Sequence, residues 1–132
     1  MAAILAVALA VAGGNLAVTT APLHPRVGHR VQIRATGQVG DTGRLYLFRN
    51  TSRACADTAR GERRRGRRLA ERPIVGSFDF EISYMPRRAR REWICSYLYA
   101  NSCDAAGNDC GPATGLPPDA GWWQNIVRVR PR

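Results

Sequence analysis

The sequence predicts an all-β domain, an antiparallel β-sandwich, and three observations carry that prediction. Apolar residues recur with a period of two, the apolar segments are short, and Gly and Pro punctuate them. Helical spacing is convincing nowhere. The 132 residues supply one core, and a chain this long buries roughly two thirds of the surface that it exposes unfolded. Hydrophobic residues make up 45% and charged residues 23%, which excludes wholesale disorder.

Residues 16–20 (LAVTT) form the first expected strand, stopped by Pro22 and Pro25. Val31, Ile33 and Ala35 alternate with Gln32, Arg34 and Thr36, as on a strand with one buried face. Residues 37–43 hold three glycines among polar residues and read as a turn. The next segment, 44–49 (RLYLFR), is too apolar for one solvated face and belongs at the centre of a sheet. Between Thr51 and Pro73 the period breaks: a short helix is expected over 52–59, then an exposed, mobile arginine loop. Phe78, Phe80 and Ile82 alternate with Asp79, Glu81 and Ser83 in a further strand. Residues 93–99 (WICSYLY) form a second doubly apolar strand, and 126–129 close the chain.

The apolar run 2–12 (AAILAVALAVA) suits a signal-peptide core and is too short for a membrane span of about 20 residues. Ala10-Val11-Ala12 offers the small-x-small cleavage site. No basic residue precedes the run, which a start codon assigned too far downstream explains. Residues 1–12 are therefore expected to be removed, leaving 13–132 as one secreted or envelope-associated domain without a membrane span. The four cysteines agree with export. Cys55, Cys95, Cys103 and Cys110 include no CxxC pair and lie far from His24 and His29, which argues against a zinc site. Four cysteines allow three connectivities. The expected one joins Cys55 to Cys95 and Cys103 to Cys110, the latter across a stretch rich in turn formers.

All 20 basic residues are arginine, against 10 acidic ones, for a formal charge of +10. Abundant Ala, Gly, Pro and Arg without Lys is the mark of coding bias in a GC-rich genome. The net charge therefore speaks for solubility and attraction to polyanions before any specific ligand. Two clusters stand out as candidate anion-binding residues: Arg60, Arg63, Arg64, Arg65, Arg67, Arg68 and Arg72, then Arg87, Arg88, Arg90 and Arg91. Trp122 and Trp123 are candidates for stacking on a ligand; adjacent strand residues face opposite ways, so one indole is expected inside and one outside. Catalytic residues, a cofactor and a metal are not expected. His24 and His29 flank a Pro-rich turn outside any nucleophile motif. Asp104, Asp109 and Asp119 lack the ligand pattern of an EF-hand. Asn50-Thr51-Ser52 matches the N-glycosylation pattern, which in a bacterium would be a chance match.

The order of these features resembles the immunoglobulin-like domains of small secreted proteins from high-GC bacteria. An opening strand ends in prolines, and Val27-Gly28-His29-Arg30-Val31 matches their VG-x-x-V turn. A hydrophobic strand then runs into Cys55, and Trp93-Ile94-Cys95-Ser96-Tyr97-Leu98 matches their aromatic-x-Cys-x-Tyr-Leu stretch. Val127-Arg128-Val129 matches the closing strand. The resemblance implies a disulfide-stabilised sandwich of about seven strands with a long arginine-rich loop. With it goes a secreted setting, and the leading functional reading is a non-enzymatic module with a binding or structural role at the cell envelope, toward an envelope or extracellular partner. The arginine clusters offer an alternative: binding a polyanion such as a phosphate-bearing wall polymer, an acidic glycan or extracellular DNA. The domain type carries no catalytic residue to transfer.

Overall fold

A computed structural model describes residues 14–101 and 111–132 of the chain. The expected signal segment 1–12, the Cys103–Cys110 pair and two of the three loop aspartates, Asp104 and Asp109, lie outside the described residues.

β1 (Gly14–Ala21) buries Leu16, Val18 and Thr20 and exposes Ala17, Thr19 and Ala21, as its period of two requires. β2 (Val31–Asn50) alternates in the same way as far as Val39, is exposed at Gly40, Asp41 and Thr42, and is buried or half-buried from Gly43 to its end. The glycine-rich turn expected at 37–43 is absent. The chain continues as strand, with the register shifting between Gln38 and Thr42. Glycine is needed there for proximity rather than for reversal: a Cβ on Gly43 would strike the Tyr99 carbonyl oxygen and stand 2.9 Å from Val39 Cγ1.

The expected helix and arginine loop are also different in kind. The helix α1 (Ala59–Arg65) starts where the expected one ends, with Thr58 as its N-cap accepting the Gly61 N–H at 3.0 Å. β3 (Arg67–Tyr84) then takes up the remaining arginines of that segment and pairs with β2 along almost all of its length. β4 (Arg91–Ala100) and β5 (Gly121–Arg128) complete the chain.

All pairings between the five strands are antiparallel, along the path β1-β2-β4-β5 with β3 on β2. The first half of β2 lies between β1 and the end of β3; the second half lies between the start of β3 and β4. The apolar 44–49 segment is central for that reason. The exchange of neighbours along β2 curls the sheet until β1 meets β5, where the Asn125 side-chain amide donates to the Val18 carbonyl at 3.0 Å. Among the described residues five strands are present where about seven were expected, two of them 20 and 18 residues long.

The concave side holds the main core: Leu16 and Val18, Val31, Ile33 and Leu45, Ile74, Ile94 and Leu98, and Val127. A second apolar cluster lies on the opposite face of β2 and β4. None of the described helices is long and apolar enough to cross a membrane.

Candidate functional site

Alternation along β4 sends Ile94 and Leu98 into the main core and Cys95, Tyr97 and Tyr99 to the other face, where Tyr46 and Phe48 of β2 join them. Tyr46 meets Tyr99 edge-on at 6.0 Å, and Phe48 meets Tyr97 at the same separation. The segment 55–65 is fastened over these rings. Cys55 is disulfide-bonded to Cys95, as expected. The Tyr97 hydroxyl donates to the Ala56 carbonyl at 2.6 Å, and the Tyr99 hydroxyl accepts the Ala59 N–H at 3.1 Å while donating to the Leu116 carbonyl at 2.9 Å. Burial pushes the Tyr97 phenol well above its ordinary value, and the Glu62 carboxylate adds to the shift. Glu62 of α1 is itself fully buried beneath the helix. Its Oε1 accepts the Ala56 N–H at 2.8 Å, and its Oε2 has no partner among the described residues.

A cleft of about 310 Å³ opens at the junction of β2, β3 and the segment after β3. It is lined by Arg49, Arg67, Arg68, Leu69, Tyr84, Met85 and Arg87. The Arg49 guanidinium lies 5.4 Å from the centre of the Tyr84 ring, and its Nη1 is 3.9 Å from Glu92 Oε2. Its Nε is buried without a partner among the described residues. Glu92 is fully buried and accepts the Tyr84 hydroxyl at 2.8 Å and Arg90 Nε at 3.3 Å. Burial, then the bond to Glu92, raises the Tyr84 phenol far above its usual range.

The two arginine clusters thus meet only in part: Arg67 and Arg68 of the first share the cleft with Arg87 of the second. Arg60, Arg63, Arg64 and Arg65 ride on α1, where Arg65 Nη1 donates to the Ala54 carbonyl. Arg72 covers the Phe80 ring, Arg91 the Trp93 ring, and Arg88 is exposed in the loop before β4. Arg49 escaped the sequence reading because it sits in an apolar strand and resembles an ordinary edge charge. Trp122 and Trp123 are both exposed, at 47% and 40%, against the expectation of one inside and one outside. Both belong to β5, the last strand of the sheet path. Trp122 stacks on Tyr97, with ring centres 6.4 Å apart, and neither indole lines the cleft. His24 and His29 are exposed, and Asp119 accepts the Ala100 N–H at 2.8 Å. The Asn50 side chain accepts the Ser52 N–H at 2.9 Å and is fully buried, so the glycosylation pattern is a turn device here.

The described residues form a curled antiparallel sheet around a main core, and solved structures share this fold. The chain is similar to the CARDB domain of a Pyrococcus furiosus protein, in a crystal structure in complex with di-metal ions. The TM-score is 0.51 at 9% identity, over 88% of this chain and 86% of that one. A solution structure of the same domain gives 0.50 at 12% identity, covering 91% and 98%. CARDB domains are immunoglobulin-like β-sandwich folds, and at these identities the likeness concerns the fold alone. No protein-family model matches the sequence, and no curated protein matches it.

Proposed function

We propose that this protein is a non-catalytic immunoglobulin-like binding module that takes a phosphate-bearing polymer at its arginine cleft. The register shift between Gln38 and Thr42 supports counting β2 and β3 as two strands apiece, as a seven-stranded sandwich would need. The run 2–12 and the Cys55–Cys95 bond support an exported chain working in the cell envelope or outside it. The observation that carries the binding reading is the meeting of Arg67, Arg68 and Arg87, distant in sequence, around a pre-positioned Arg49. Guanidinium groups suit phosphate oxygens because their donors form a rigid fork. Glu71 and Glu92 touch this group, but neither neutralises Arg67 or Arg87.

Affinity for double-stranded DNA or polyphosphate should fall steeply with salt, for DNA with a slope of log K against log salt near −0.9 per phosphate neutralised. The triple change Arg67→Gln, Arg68→Gln, Arg87→Gln should flatten the DNA slope by about 2–3 units. The control triple Arg63→Gln, Arg64→Gln, Arg128→Gln removes the same charge from exposed positions elsewhere. Equal losses from the two triples would overturn the cleft as a site.

A further inference from the structure

The Cys55–Cys95 disulfide shares its surroundings with a carboxylate. Both sulfurs and a carboxylate oxygen of Glu62 lie within 4.8 Å of one another. Glu62 has no exposed surface and no ion-pair partner among the described residues, although 20 arginines surround it in the sequence. One of its oxygens receives the Ala56 amide, with the Tyr97 hydroxyl at 3.5 Å; the other receives nothing from the described residues. A buried carboxylate without a cation is costly, and a disulfide offers it no donor. The set makes sense for another redox state. Two thiolates and a carboxylate are ligands for a thiophilic divalent ion, and tetrahedral bonds of 2.0–2.3 Å put such ligand atoms about 3.3–3.8 Å apart.

We propose that the disulfide is the oxidised cover of a metal site, and that reduction lets Cys55, Cys95 and Glu62 hold one Zn²⁺ with a fourth position open to water. An external dithiol supplies two electrons and two protons: the Cys55–Cys95 bond breaks into two thiols, and the dithiol closes to its own disulfide. Zn²⁺ then displaces both thiol protons. Cys95 is fixed in β4 between β2 and β5, whereas Cys55 precedes α1 and is only partly buried. The separation of the sulfurs is therefore taken up by the 51–58 segment, which is not part of the sheet. The inference is independent of the arginine cleft, whose residues it does not use.

The test uses the full chain with Cys103→Ser and Cys110→Ser, so that only one cysteine pair can respond. After reduction by a water-soluble phosphine, which leaves as its oxide, Co²⁺ should bind at one per chain with a thiolate-to-cobalt charge-transfer band. The oxidised protein should show no such band. Zn²⁺ should displace the cobalt and raise the melting temperature of the reduced protein but not of the oxidised one. Glu62→Gln should keep the band and weaken affinity at least about tenfold. Absence of the band, or unchanged affinity in Glu62→Gln, would overturn the site. If reduction unfolds the chain, Zn²⁺ must restore its strand circular dichroism, and failure to do so would overturn it equally.

Discussion

Glu92 lies among arginines in the sequence and looks like a solvated counter-charge, yet it is fully buried and holds Tyr84, Arg90 and Arg49 together behind the cleft. Removing one member of a buried, hydrogen-bonded charge group leaves the others desolvated without compensation. Glu92→Ala should therefore lower stability by about 3 kcal/mol, measured by urea unfolding. A loss below about 1 kcal/mol, the level of an exposed pair, would show that solvent screens the group. Arg34–Asp79 makes the contrast. It is shorter, at 2.6 Å, and Arg34 holds the Asp79 carboxyl below its usual value, but both side chains are about half exposed and the pair contributes little.

At the scale of the element, β2 decides the architecture, because one strand serves two sets of neighbours. Its passage from the β1 side to the β4 side depends on Gly43, where an added Cβ would strike the Tyr99 carbonyl oxygen. Gly43→Ala should cost about 1–3 kcal/mol, as overpacking against backbone does. Gly40→Ala, three residues earlier and with nothing within 4 Å, is the control and should change stability by less than about 0.5 kcal/mol. Equal effects would mean that the bend does not depend on close approach. α1 illustrates the opposite dependence. Four of its seven residues are arginine, and it has no apolar stripe of its own. It holds its place through Ala59 and Glu62, which bury against the tyrosine face, and through the disulfide just before it. Closing a loop of this length, a sequence separation of 40 from Cys55 to Cys95, stabilises by about 4 kcal/mol on chain-entropy grounds.

For the molecule as a whole, the four tyrosines are all buried or nearly so, and all titrate above their ordinary value, chiefly because burial disfavours the phenolate. Their stabilising effect is complete below the unfolded value near pH 10. Above it the unfolded chain has lost protons that the native chain keeps, so stability falls as pH rises, by up to about 1.4 kcal/mol per pH unit per tyrosine. The chain has no lysine to titrate over the same range. Urea midpoints measured from pH 8 to 11 should be level at first and then decline, and Tyr97→Phe should make the decline shallower. A flat profile to pH 11 would contradict the burial of these phenols.

Strand identity and burial were legible in the sequence because the direction of a side chain on a strand depends on its own backbone. The alternation at 31–35 and the doubly apolar runs 44–49 and 93–99 became β2 and β4 with the burial they imply. The cysteine arithmetic reached Cys55–Cys95 as one choice among three connectivities, and the folded chain contains that bond. Tertiary structure decided the rest. No local signal distinguishes a glycine turn from a glycine bend within one continuous strand, so the 37–43 segment was legible as irregular but not as part of β2. The cleft required the register of β3 on β2, which brings Arg67 and Arg68 to Arg49, and the chain reversal that returns Arg87 to them. Glu62 beside the two sulfurs required the packing of α1 on β4. Each of these meetings joins residues whose neighbours in sequence say nothing of one another, and they form only when the curl of the whole sheet has been set.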